Sequence, residues 1–147
     1  MSWHRTYRPR QIKDLHLISV RETLLSLMAD GKIPQALLFA GPKGTGKTSA
    51  SRIVAAVLND DRNAKAVEAI YLGASPTTKK TFNLVEPDPD SATTKKICAG
   101  QSFAVQEIDA ASHGLVDDVR LLKERASLMP QEGRMAVYIL DEAHMMS

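Results

Sequence analysis

The chain has 147 residues, 44% of them hydrophobic and 24% charged, with a net charge of +2 from 19 basic and 17 acidic side chains. That length suits one domain with its own core, and the near-neutral charge excludes a protein that attracts nucleic acid by its field alone. No apolar run reaches the roughly 18 residues that a bilayer crossing needs, and MSWHRTYRPR lacks the apolar centre of a secretory signal, so a cytoplasmic protein with no membrane partner is expected.

An arm bearing Arg5, Arg8 and Arg10 comes first. In ISVRETLLSLMADG, Ser19 and Glu22 have capping-box spacing, Leu24, Leu27 and Met28 recur at helical intervals, and Gly31 fits a stop, which predicts a helix over 20–30. ALLFA, residues 36–40, is short and wholly apolar, which predicts a strand buried on both faces of a parallel sheet. GPKGTGKTSA follows, and TSASRIVAAVLN predicts a helix over 47–58. Residues 59–96 are polar and include EPDPD, and they are expected to leave the core. FAVQEI, 103–108, predicts a second strand, with 109–113 as its connection; DDVRLLKERASLM predicts a helix; MAVYIL, 135–140, predicts a third strand ending at Asp141 and Glu142. Strands alternating with helices imply crossovers and a mainly parallel sheet, an α/β class.

Gly41, Gly46, Lys47 and Thr48 satisfy G-x-x-x-x-G-K-[ST], the pattern of a P-loop or Walker A motif. Glycines reach backbone angles closed to other residues and keep side chains away from an anion. The amides of Gly44, Thr45 and Gly46 can then face phosphate oxygens, and the next helix adds its free N–H groups and positive dipole end. Lys47 would bridge the β- and γ-phosphates, Thr48 would bind Mg²⁺, and Ser49 completes the ATP-binding run. Chance produces this pattern in roughly half a per cent of chains of this length. VYILDE supplies the companion Walker B motif: Asp141 would hold Mg²⁺ and Glu142 would polarise the attacking water. The letters DEAH at 141–144 do not make a helicase, which needs a second motor domain. The single cysteine, Cys98, excludes an internal disulfide and a cysteine-only metal site, and the four histidines lack metal-ligand spacing.

RTYRP at 5–9, ALLFAGPKGTGKTSASRI at 36–53, EIDAASHGLVDDVR at 107–120 and GRMAVYILDEAHMMS at 133–147 form a more specific set than either nucleotide motif. Together the chain resembles the amino-terminal part of the gamma/tau subunits of bacterial DNA polymerase III, a family of clamp-loader AAA+ ATPases. The resemblance covers nearly everything except 59–96. It implies a P-loop NTPase fold of the AAA+ type, a parallel sheet flanked by helices. It also implies ATP and Mg²⁺ as cofactors, and catalytic roles for Lys47 and Glu142. The implied partners are other subunits of a five-membered ring, the sliding clamp, and primer–template DNA reached through the assembled complex. The family's arm Arg-Pro lies near the adenine, which places Arg8 and Pro9 there, with Arg5 assisting. The family carries a four-cysteine zinc module after the loop's helix; Asn59 stands where its first cysteine is expected and Thr94 where its last is, and Cys98 falls four residues further on. No zinc is therefore expected, and 59–96 is expected as a metal-free, weakly ordered replacement within a partial AAA+ domain spanning 1–147. The sequence ends soon after the Walker B strand, before the family's sensor, its trans-acting arginine and its lid. Such a truncated piece alone is expected to be inactive as an ATPase.

Two other functions compete with an ATPase that loads the clamp in DNA replication: a nucleotide-binding structural subunit that never hydrolyses, and another AAA+ remodeller such as a branch-migration motor. Retention of both Lys47 and Glu142 argues against the first. EIDAAS together with RTYRP argues against the second.

Overall fold

The computed structural model describes residues 8–29, 31–42, 44–71, 83–109, 120, 123–124 and 132–141. Its helices are α1 (Ile18–Ala29), α2 (Lys47–Asn59), α3 (Ala64–Tyr71) and α4 (Ala92–Cys98), and its strands are β1 (Val105–Asp109) and β2 (Val137–Asp141). The strands pair in parallel, with Val105 opposite Val137 and Asp109 opposite Asp141. This is the parallel pairing expected of an α/β chain. Among the described residues no helix is long and apolar enough to cross a membrane.

Helix α2 is the centre of the molecule. Ile53, Ala55, Ala56 and Val57 are fully buried, and Ala50, Val54 and Leu58 nearly so, which leaves most of the circumference of its second half without solvent. One side, through Ala55 and Ala56, meets Ile97 of α4 and the first residues of both strands, Val105 and Val137. The other side shares a core with Ile12, Leu15, Leu24, Met28, Ile33, Val67 and Leu84. Alanine at 55 and 56 gives the strands close access to the helix axis. Larger residues at 53, 54, 57 and 58 fill the wider opposite side.

Helix α1 starts at Ile18, before the expected cap, so Ser19 lies inside the first turn and its carbonyl accepts from Thr23 Oγ1 (2.8 Å). The stop at Gly31 is as the sequence implies. Gly31 has φ +62°, its N–H donates to Met28, and the Lys32 N–H reaches back to Leu27 (2.8 Å), the paired bonds of a Schellman ending. Residues 36–40 depart from expectation. They form no strand, and Leu38 is 85% exposed, while Phe39 still packs on the core. A strand is defined by a neighbour that takes its N–H and C=O groups, and among the described residues none lies beside 36–40. In the helix expected after β1, Arg120, Lys123 and Glu124 are helical and exposed; the rest of it, the connection at 110–113 and His144 lie outside the described residues.

The polar stretch 59–96 also departs from expectation, because its described parts pack against the core rather than leaving it. Val67 is fully buried and Leu84 nearly so. Two buried polar residues account for this. Asn63 donates to the carbonyls of Val57 (2.8 Å) and Val85 (2.9 Å) and accepts from the Val85 N–H (2.8 Å). Asp60 accepts from the N–H groups of Arg62 and Asp88 (2.8 Å each) and from Arg62 Nε (3.2 Å). Burial pushes the Asp60 carboxyl up, but these bonds outweigh it and hold the group below its ordinary value. From the arm, Arg10, Gln11 and Lys13 bond to Pro89, Pro87 and Glu86. Ser91 caps α4 by accepting from the Thr94 N–H.

Replacing Asn63 with alanine should lower stability by about 1–3 kcal/mol, because three bonds are lost and the part-buried backbone groups of Val85 lose their partner. Urea unfolding measures this; a loss below about 0.5 kcal/mol would show that 83–88 is held by other contacts.

Candidate functional site

The glycine loop meets α2 at Gly46, whose φ of 85° and ψ of 19° are left-handed. Gly44 has φ +84°, and a Cβ at either glycine would meet nothing within 4 Å. Both positions therefore need glycine for their backbone angles, and the space beside them is open. Within the loop, Lys47 Nζ donates to the Gly41 carbonyl (2.7 Å) and Thr45 Oγ1 to that of Pro42 (2.7 Å). Thr48 and Ser49 are half-buried in the first turn of α2, whose early N–H groups have no partner inside the helix. An open, left-handed backbone ahead of a 13-residue helix is a fitting receptor for a phosphate chain.

Two side chains of α2 determine which end of the sheet this loop faces. Arg52, in the first half of the helix, grips Glu107 with Nε and Nη2 (2.5 and 2.9 Å) and also donates to the Cys98 carbonyl. Asn59, the last residue of the helix, grips the approach to β2: its Oδ1 accepts from the N–H groups of Arg134 (2.8 Å) and Met135 (3.0 Å), and its Nδ2 donates to the carbonyls of Met135 (3.1 Å) and Ala55 (3.0 Å). The beginning of the helix thus lies at the strands' carboxyl ends and its end at their amino ends, so α2 runs antiparallel to both strands.

Heights along the axis follow from repeat lengths. Lys47 is five residues before Arg52, about 7.5 Å along a helix. Asp109, and Asp141 opposite it, are two residues beyond the level of Glu107, about 6.6 Å along a strand. On these lengths the glycine loop and the strand-end acids come out at about the same level. Asp141 is exposed at the end of β2, and the register places Asp109 alongside it. Glu142 and Arg5 lie outside the described residues. Arg8 is exposed and Pro9 half-buried, and the hydrogen bonds of the next residues run to 86–89 rather than to the loop.

The strands' amino ends are knitted separately. Glu132 accepts from Lys96 Nζ (2.8 Å), the Phe103 N–H (2.9 Å) and Ser102 Oγ (3.1 Å), and the bond from Lys96 leads in holding its carboxyl below the ordinary value. Gly133 approaches Asn59 so closely that a Cβ there would lie 2.4 Å from Oδ1. Arg52, Gly133 and Gly100, where a Cβ would lie 2.9 Å from Arg52 Nη2, were not singled out as functional from the sequence, and Asn59 only as the position of an absent cysteine. Their signal was a polar residue on a helix face otherwise apolar, and a glycine just outside a strand or helix.

Comparison with known proteins matches residues 18–147 to the family model described as DNA polymerase III, delta subunit. DNA polymerase III subunit gamma/tau of Mycobacterium tuberculosis (strain ATCC 25618 / H37Rv) is 37% identical over 148 residues, which is 100% of this chain and 23% of that protein. Subunit tau of Bacillus subtilis is 33% identical over 145 residues (98% and 22%), and subunit tau of Escherichia coli K12 is 32% identical over 147 residues (97% and 19%). The chain spans about a quarter or less of the length of these curated relatives.

Gly133→Ala should destabilise the protein by at least about 1 kcal/mol more than Gly44→Ala. Both introduce left-handed strain of about 1–2 kcal/mol, but only the first drives a methyl group into Asn59 and Ala104. Paired urea melts test this; equal losses would show that the Asn59 grip yields freely.

Proposed function

The chain belongs to the family described as DNA polymerase III, delta subunit, and from that premise we propose that it is the nucleotide-binding part of a clamp-loader subunit that uses ATP during bacterial DNA replication. One observation supports this above the others: the opposed direction of α2 and the strands, which sets the glycine loop level with Asp141. Gly41, Gly44, Thr45, Gly46, Lys47, Thr48 and Ser49 would hold the phosphates, and Thr48 and Asp141 would hold Mg²⁺. The bound metal would supply charge neutralisation at the phosphates. Lys47 would leave the Gly41 carbonyl for a phosphate oxygen, exchanging a neutral acceptor for a charged one. Glu142 would orient the attacking water, and Arg8 and Pro9 would lie against the base.

The assembly we propose is a ring of five subunits acting on the sliding clamp and primer–template DNA, in the cytoplasm. The relatives' names, subunits gamma/tau and tau of DNA polymerase III, support a place in a replication complex. Residues 59–96 are read as a metal-free replacement for the family's zinc module. In support, Asn59 and Thr94 are buried and hydrogen-bonded within the protein, and burial pushes the Cys98 thiol up to about 11, far from the thiolate a metal needs.

Lys47→Ala should abolish binding of a fluorescent ATP analogue to the full-length protein; unchanged affinity would remove the phosphate role of the loop. Metal analysis of the purified protein should find no stoichiometric zinc, and one zinc per chain would overturn the metal-free reading of 59–96.

A further inference from the structure

We propose that Arg52 and Asn59 are positioning residues for ATP turnover, fixing the height of the acid-bearing strand against the glycine loop. This rests on the ATP reading above. The two residues sit at separate levels of one helix, are 9% and 2% exposed, and grip different strands. Packing alone would be met by apolar side chains of similar volume. What the polar groups add is register. The Asn59 amide pairs with both the N–H and the C=O of Met135, as a neighbouring strand would, and its Oδ1 also takes the Arg134 N–H, so a slip of one residue disrupts this set of three bonds. The Arg52 guanidinium takes both carboxylate oxygens of Glu107, a geometry that fixes height as well as distance.

Because β1 and β2 are locked residue by residue, either grip sets the level of Asp141. A slip of β2 by one residue would move Asp141 by about 3.3 Å and turn it to the other face. A displacement of about 1 Å can already cost about 10²-fold in rate. The phosphate loop itself belongs to α2, so its own geometry survives loss of either grip.

The test uses the purified full-length protein with Asn59→Asp, which keeps the acceptor side and removes both donated bonds, and Arg52→Lys, which keeps the charge and removes the two-point geometry. Binding of mant-ATP, its dependence on Mg²⁺ concentration, kcat and thermal melting are measured for each. The expected result is nucleotide affinity within about threefold of wild type, a Mg²⁺ midpoint raised severalfold, and kcat lower by about 10- to 10²-fold. A kcat within about twofold of wild type, or affinity falling in step with kcat, would overturn the positioning role. If Asn59→Asp does not fold, Arg52→Lys decides; if neither folds, the grips hold the fold and nothing more, and the proposal is overturned. Wild-type protein that binds no MgATP would remove the ATP reading and this proposal with it. Wild-type turnover with silent variants removes the proposal alone.

Discussion

Burial of apolar surface is non-directional, so a helix covered over most of its circumference takes only a coarse orientation from it, here small residues toward the strands and larger ones away. Helix α2 is in this position, with Ile53, Ala55, Ala56 and Val57 all inaccessible. Its rotation and height are set by two polar side chains whose bonds have direction. Arg52 reaches Glu107 and Asn59 reaches Met135. Much of the remaining architecture follows from those grips: the antiparallel run of helix and strands, the glycine loop at the strands' carboxyl ends, and the acids level with it. The Glu107 bond in turn holds the Arg52 guanidinium above its ordinary value, outweighing the opposite effect of burial.

The EIDA segment has the same economy. Glu107 anchors the buried helix, and two residues later the register pairs Asp109 with Asp141. A run of five residues therefore both receives the helix and ends at the level of the glycine loop. Alternation explains why an acid can occupy a half-covered strand without burying an unpaired charge. Glu107 faces α2 and its guanidinium, and Gln106 and Ile108 face the other way.

Much of this was legible in the sequence, and the failures have physical causes. The second and third expected strands were legible from β-branched, apolar runs ending in acids, offset by one or two residues from their observed bounds. The glycine loop and the helix after it were legible because glycine angles and helix starts are local properties. The run 36–40 was misread because its composition reports a taste for burial, whereas a strand also needs a hydrogen-bonding neighbour, which composition does not supply. The Ser19–Glu22 box was misread because α1 begins at Ile18, two residues before the expected start, which puts Ser19 inside the first turn instead of at the cap. Arg52 and Asn59 look like ordinary helix residues until their partners, 55 and 76 positions away, are known.

The polar stretch 59–96 was the largest misjudgement, and its cause reaches beyond this chain. Low hydrophobicity implies that a segment cannot bury enough apolar surface to offset its ordering entropy. That inference treats polar residues as unable to contribute. Here Asp60 and Asn63 each make three hydrogen bonds at buried positions, chiefly to backbone. A net gain of about 0.5–1.5 kcal/mol per bond is modest. The asymmetry is what matters: where a partner is itself buried, releasing its bond leaves a desolvated group costing about 1–3 kcal/mol. Such a network is close to all-or-none. It keeps 83–91 fixed against α2 and the arm, as a metal would, but with its stability shared with the core instead of concentrated at a separate centre.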